Sequence, residues 1–228
     1  YRPLDIDYDR YVTIKNHLRK NKYNPKKLYE KSIFNVVDVG FNSIFLKANK
    51  DLVYLVKKFN FEENELQKYI NKSETQIVKL YNQKKKSFIN HDLKNNKKIR
   101  VPSITNYFIL FADIKDKSIN SDIIKNLKKY NLNNEFFFSS IKPNHNKFEE
   151  MRYWRGPVWV NCNWIIYQGL KNKDKKFAQK IKKKTINLVK KSGFYEYFSY
   201  KTGKAFGANN FSWTASLFLD LMYENKYN

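Results

Sequence analysis

Two short stretches carry the side chains whose types and spacing could do chemistry. In Gly193-Phe194-Tyr195-Glu196-Tyr197-Phe198 one carboxylate sits among four aromatic residues, just after a helix-ending glycine. Surroundings of that kind strip water from the charged form, which raises proton affinity towards the range useful to a general base. In Tyr153-Trp154-Arg155-Gly156-Pro157-Val158-Trp159-Val160-Asn161-Cys162-Asn163-Trp164 three of the four tryptophans fall close together. The Gly-Pro pair interrupts regular structure, so residues 153–159 should form a rigid loop ahead of a helix, holding aromatic faces and a guanidinium on its rim. Apolar C–H faces of a sugar pack on such rings while polar neighbours take its hydroxyls. A core anchor at a helix start has the same composition, and Glu196 could equally face solvent or pair with a lysine. Trp164, farther into the helix, reads as core.

The elements that must position these stretches are mostly helical. Apolar residues at three-and-four spacing mark a helix over 8–19, with Tyr8, Tyr11, Val12, Lys15 and Leu18 on one stripe and Asp5 or Asp7 as its cap. The longest periodic segment runs over 33–59, carrying Val36, Val39, Gly40, Ser43, Ile44, Lys47, Asn49, Leu52 and Leu55, with Gly40, Ser43 and Ala48 allowing close approach of another helix. Further helices are predicted over 60–81, 102–114, 119–130, 160–170, 177–191 and 211–222. In the helix over 177–191 Ile181, Ile186, Leu188 and Val189 face inward. Residues 87–92 and 97–101 alternate like two short strands about a Lys94-Asn95-Asn96 turn, giving one β-hairpin and no other sheet. Residues 131–147 form the largest irregular segment, which delivers the chain into Tyr153. Asn42 and Asn49 read as structural polar groups on the long helix, and His91 as a surface strand residue. Successive helices fall into antiparallel pairs, which suggests a toroid of helical hairpins.

Composition narrows the function classes. With 228 residues, 42% of them hydrophobic, the chain can bury a sizeable core. Its net charge of +24 is spread along the whole sequence among many asparagines, isoleucines and tyrosines, whereas a nucleic-acid binder gathers Lys and Arg into a stripe or patch. Runs such as Lys84-Lys85-Lys86 and Lys182-Lys183-Lys184 fall at helix ends or polar faces. Nucleic acid is therefore not the expected partner. One cysteine, Cys162, excludes an internal disulfide, and no Cys/His cluster has metal-ligand spacing. No metal or cofactor is expected. A reducing, cytoplasmic location fits, since no run is long enough to span a membrane and no stretch reads as a signal peptide. The abrupt start at Tyr1, with Pro3 close behind, suggests a piece of something longer.

In order and spacing the motifs resemble the C-terminal half of glycoside hydrolase family 63, and within it the mannosylglycerate and glucosylglycerate hydrolases related to trehalase. The resemblance is carried by the Tyr153-Trp154-Arg155-Gly156-Pro157-Val158-Trp159 run, the Glu196 turn, Lys201-Thr202-Gly203-Lys204 and the Phe211-Ser212-Trp213-Thr214 helix start. Arg2-Pro3, Tyr8-Asp9-Arg10-Tyr11 and Val37-Asp38-Val39-Gly40-Phe41-Asn42 through Leu52 extend it over nearly the whole chain. It implies an all-α fold in which residues 1–228 form a single domain, an incomplete (α/α)6 barrel bearing one small hairpin, with the site in its funnel. It also implies hydrolysis of an α-glycosidic bond with inversion, which needs one carboxylic acid for the leaving oxygen and one carboxylate to activate water. By resemblance Glu196 is the base, Tyr153, Trp154 and Trp159 bind the sugar, Arg2 and Tyr8 hold a carboxylated aglycone, and Asn210 is a further substrate contact. The partners are a small glycoside and the missing N-terminal part of the same barrel; a homo-oligomer is compatible with the reading.

One departure stands out. The family's general acid lies in an Asp-Asn-Ser-Pro-like motif upstream of the matched region, and this sequence has none; Asp5, Asp7 and Asp9 read as helix-start residues. The 228-residue chain alone is therefore expected to be inactive. A noncatalytic carbohydrate-binding or helical scaffold protein is the main alternative, and a basic RNA-binding helical protein the second.

Overall fold

The structure is a computed structural model that describes residues 3–130, 136 and 138–224. Helix α1 (Asp5–Lys20) and the short α2 (Pro25–Lys31) lead into strand β1 (Val36–Val37) and the long α3 (Val39–Lys58). Asp7 accepts the Leu4 amide at 3.1 Å, and Asn24 and Asp38 accept the third amides of α2 and α3, so each start is capped by the short polar residue the sequence provides. Next come α4 (Asn64–Val78) and four strands, β2 (Tyr81–Asn82), β3 (Ser87–Phe88), β4 (Asn90–Asp92) and β5 (Lys97–Ile99). A 3-10 turn over Ile104–Tyr107 runs into α5 (Ile109–Ala112), followed by α6 (Lys117–Tyr130). The second half holds α7 (Val160–Leu170), α8 (Lys175–Ser192), β6 (Tyr197–Phe198), β7 (Ala205–Phe206) and α9 (Ser212–Tyr223).

The helices pack in successive pairs: α3 on α4 and α5, α5 on α7, and α7 on α8 and α9. One apolar core threads this arc, joining Leu46 and Ile70 at one end through Ile109, Leu110 and Ile166 to Ile181 and Leu221 at the other. A smaller cluster of Phe136, Val158, Val160, Leu188, Val189 and Phe198 sits beside the second chemistry-bearing stretch. Tyr167, Lys171 and Lys182 converge on Glu224, with the lysines at 3.1 and 3.4 Å from its carboxylate.

Several expectations change. The β4–β5 hairpin is as predicted, with Asp92 opposite Lys97, but three further short pairings occur: β1 joins β4 in the same sheet, and β2 with β3 and β6 with β7 form separate two-stranded sheets. Two-residue strands are too short to leave an alternating signature. The segment predicted as one helix from 33 is strand at Val36–Val37 before Asp38 caps α3. Of the stripe predicted on α3, Val39, Gly40 and Ser43 are buried, whereas Ile44, Leu52 and Leu55 are exposed and Leu46 and Val53 complete the inward face. No residue of α1 is buried, and Tyr8, Tyr11 and Val12 face solvent. Lys182, expected on a polar face, is 8% exposed. Residues 131–135 and 137 of the predicted loop lie outside the described residues. No described helix is long and apolar enough to cross a membrane.

Candidate active site

The two chemistry-bearing stretches, about forty positions apart in sequence, are joined by backbone. Val158 donates to the Phe198 carbonyl at 2.8 Å and Phe198 returns the bond at 2.9 Å, so the aromatic loop and the Glu196 strand lie side by side. Ser139 bridges to Val158 on the other edge, which ties the preceding segment into the same strip.

Within the loop, Tyr153, Trp154 and Arg155 form one 3-10 turn, and Tyr153 has φ 35°, the left-handed region that a bulky residue enters only at a cost of about 1–3 kcal/mol. What holds it there is visible. The Trp159 indole N–H donates to the Tyr153 carbonyl at 3.1 Å, and the Tyr153 ring packs edge-on against Trp159 and Tyr197 at 5.2 and 5.8 Å. Gly156 allows the loop to close: a Cβ there would meet the Cα of Glu150 at 2.8 Å, with the Glu149 carbonyl nearer still. Trp154 lies flat on Trp159 with centroids 3.9 Å apart and planes 5° from parallel.

That stack separates two residues the sequence treats alike. Trp154 is 39% exposed and offers a free indole face, whereas Trp159 is 2% exposed and lies beneath it. Trp159 is therefore the support of the platform and Trp154 its surface. Trp164 is half-buried and donates its indole N–H to Asp220 at 2.6 Å, as a helix-packing residue.

Glu196 is 4% exposed, immediately before β6. Its amide donates to the Ala208 carbonyl at 3.0 Å, and the Ala208 amide donates back to the Glu196 carboxylate at 3.1 Å. The turn that supplies this amide is set by Gly207 at φ +76°, where a Cβ would lie 2.6 Å from the carboxylate oxygen. Phe211 donates to the Phe194 carbonyl at 2.8 Å and the Thr214 hydroxyl to the Tyr195 carbonyl at 2.6 Å, which sews the start of α9 to the Glu196 strand. Asn210 sits exposed between them at φ 49°.

Charged residues brace this assembly, and among them Asp7, Glu149, Glu150 and Arg152 had no part in the site predicted from the sequence; the Arg155 guanidinium predicted on the rim is paired with Glu149. Asp7 on α1 pairs with Arg152 at 3.0 Å across 145 positions of sequence. Glu149 holds Arg152 and Arg155 at 3.4 and 2.5 Å. Glu150 takes the Ser199 hydroxyl at 2.6 Å and the Lys201 amide at 3.3 Å, linking the aromatic loop to the turn after the Glu196 strand. The Leu4 amide, outweighing partial burial and helped by Arg152, holds the Asp7 carboxyl below its usual range. Burial pushes Glu150 upward, but the Ser199 and Lys201 hydrogen bonds and the Lys201 charge prevail and lower it. The only available signal was two adjacent acids just ahead of the aromatic run, in a chain with 21 acidic and 45 basic residues.

Tyr8 is 47% exposed on α1, the helix that Asp7 pins to Arg152 beside the platform. Arg2 lies outside the described residues. Cys162 is buried, with its thiol pushed up to about 12 by desolvation.

A model of the MGH1-like glycoside hydrolase domain of mannosylglycerate hydrolases matches residues 1–214. The chain belongs to that family. Within it, the chain is 32% identical to a mannosylglycerate hydrolase of Thermus thermophilus over 96% of its own length and 53% of the relative's. It is 29% identical to mannosylglycerate hydrolase MGH1 of Selaginella moellendorffii over 98% of the chain and 46% of that protein. A crystal structure of the family 63 mannosylglycerate hydrolase of Thermus thermophilus in complex with Tris and D-glycerate superposes with a TM-score of 0.90 at 31% identity, covering 98% of this chain and 54% of the other. The chain thus spans about half the length of the relatives it matches. Its arc of paired helices is part of the family's (α/α)6 barrel.

Proposed function

We propose that this chain supplies the base-bearing half of an inverting α-glycoside hydrolase acting on a small carboxylated glycoside, mannosylglycerate or glucosylglycerate. The observation that supports the reading is the backbone pairing of Val158 with Phe198, which joins the strand just after the buried Glu196 to the loop that carries Trp154. In the proposed step the sugar ring rests on the exposed indole face of Trp154. Glu196 takes a proton from a water as that water's oxygen bonds to the anomeric carbon on the face opposite the leaving group. The bond from the anomeric carbon to the aglycone oxygen breaks, and that oxygen receives a proton from a carboxylic acid supplied by the preceding half of the barrel. Inverting pairs hold their carboxyl groups about 6.5–9.5 Å apart to admit the water.

Tyr8 and Arg2 are the proposed contacts of the aglycone carboxylate, a role suited to a guanidinium fork. Asn210, presented at the start of α9, is a proposed contact of a sugar hydroxyl. Residues 1–228 are read as one part of a single catalytic domain. The exposed apolar side chains on α1 and α3, among them Tyr11, Val12, Phe41, Phe45, Leu52 and Leu55, suit coverage by the preceding helices. A lone, free cysteine agrees with a reducing, cytoplasmic setting.

The test is to give the full-length protein mannosylglycerate and follow the anomeric protons by NMR. The β-anomer of mannose should form first and then mutarotate. First appearance of the α-anomer, or no hydrolysis of either mannosylglycerate or glucosylglycerate, would overturn the proposal; binding without hydrolysis would favour a noncatalytic carbohydrate binder.

A further inference from the structure

A cavity of about 510 Å³ opens between β3, the strand-to-turn segment around Pro102, and α6, within the size range of ordinary ligand pockets. It shares no lining residue with the aromatic loop or the Glu196 strand. Its walls are apolar and partly aromatic: Phe88 and Ile123 are buried, and Tyr107 meets Tyr130 edge-on at 5.6 Å.

Its charges are all of one sign. Lys85, Arg100, Lys129 and Lys142 line it and no Asp or Glu does. None of the four has a carboxylate within 4.0 Å among the described residues. Their immediate neighbours in sequence behave differently, Lys86 pairing with Asp122 at 3.0 Å and Lys128 with Asp174 at 2.5 Å. An excess of lysine puts cations on any surface of this chain, but it does not by itself wall a cavity with aromatic rings and leave its four cations without a carboxylate among the described residues.

A third feature is a buried acceptor. Asn106 lines the cavity at 8% exposure; its amide nitrogen donates weakly to the Val101 carbonyl at 3.5 Å, and its Oδ1 has no partner. Buried polar atoms are ordinarily satisfied, so an oxygen left over at a cavity wall points to an N–H or O–H donor from an occupant. Tyr107, pushed up to about 12 by burial, stays a neutral phenol over the physiological range.

Combined, these features ask for an anionic group, a flat ring and a donor on that ring. We propose that the cavity binds a purine nucleoside monophosphate, with its phosphate among Arg100, Lys129 and Lys142, its base against the Tyr107 wall, and a base N–H towards Asn106. The site is independent of the hydrolase reading.

The experiment is calorimetric titration of the full-length protein with AMP, adenosine and inorganic phosphate at one fixed salt concentration. AMP should bind at least about tenfold more tightly than either part, because ring and phosphate sites act together. The Arg100→Glu/Lys142→Glu variant should lose at least about tenfold in AMP affinity with its thermal unfolding unchanged, and Asn106→Leu should weaken AMP while sparing phosphate. Equal affinity for AMP and phosphate would overturn the proposal, as would an unaltered AMP affinity in the charge-reversed variant. So would an RNA oligonucleotide whose binding grows with length and ignores that variant, since diffuse charge would then account for everything.

Discussion

Replacing Gly207 by alanine tests whether the turn that follows β7 positions the Glu196 carboxylate. At φ +76° an alanine is strained by about 1–3 kcal/mol before any contact is considered. Its Cβ would then stand 2.6 Å from Glu196 Oε2, 2.8 Å from Glu196 Cβ and 2.8 Å from the Tyr197 ring. To regain ordinary contact near 3.4 Å the carboxylate oxygen must retreat by about 0.8 Å. That movement also breaks its 3.1 Å bond from the Ala208 amide. A displacement of that order in a reacting group can cost about 100-fold in rate. Gly203→Ala is the matched control: φ is +71° and its Cβ would press on the Phe136 ring at 2.8 Å, away from Glu196. In the full-length protein both substitutions should lower the melting temperature by a few degrees, since each kcal/mol is worth about 1 °C in a domain about twice the length of this chain. Only Gly207→Ala should also lower kcat on mannosylglycerate by about 100-fold when rates are expressed per folded molecule. If its kcat stays within about threefold of the unsubstituted protein, or if Gly203→Ala loses as much, the positioning argument is wrong.

Three further outcomes follow from the geometry. Trp154→Ala should raise KM for the glycoside about tenfold, the loss of about 1.4 kcal/mol of stacking, with little change in melting temperature. Trp159→Ala should instead cost about 3–5 kcal/mol of stability, read by urea denaturation, because it empties the space beneath the platform. Asp7→Asn should change the pH dependence of unfolding. The Asp7 carboxyl is lowered from 3.8 in the fold, so its contribution is fully present above that value and is lost as pH falls through the lower folded value. Urea midpoints between about pH 2 and 6 should therefore drop more steeply on the acid side for the unsubstituted chain than for Asp7→Asn; parallel curves would show that the link between α1 and Arg152 carries no stability.

The two stretches of the candidate site were legible because their side chains are rare and dense. Three tryptophans around a Gly-Pro break and one carboxylate among four aromatics are local patterns, and the structure brings both stretches into one strip. The difference between Trp154 and Trp159 was not legible, because stacking and burial depend on Tyr153 and Tyr197 arriving from either side. Asp7 meets Arg152 across 145 positions, a distance at which no periodicity operates. The pairing of Val36 with Asp92 had no signal either, since strands of two or three residues leave no alternation to read. Periodicity located α1 and α3 well, yet it could not say that the apolar stripe of α1 and the Ile44, Leu52 and Leu55 positions of α3 face outward here.

The most direct test of the central claim is Glu196→Gln in the full-length protein, assayed for turnover of mannosylglycerate and, by calorimetry, for its binding. The amide keeps the size of the side chain and removes only the ability to accept water's proton. Turnover should fall by about 10²–10⁴-fold while ligand affinity stays close to that of the unsubstituted protein. Retained turnover would contradict the assignment of Glu196 as the base.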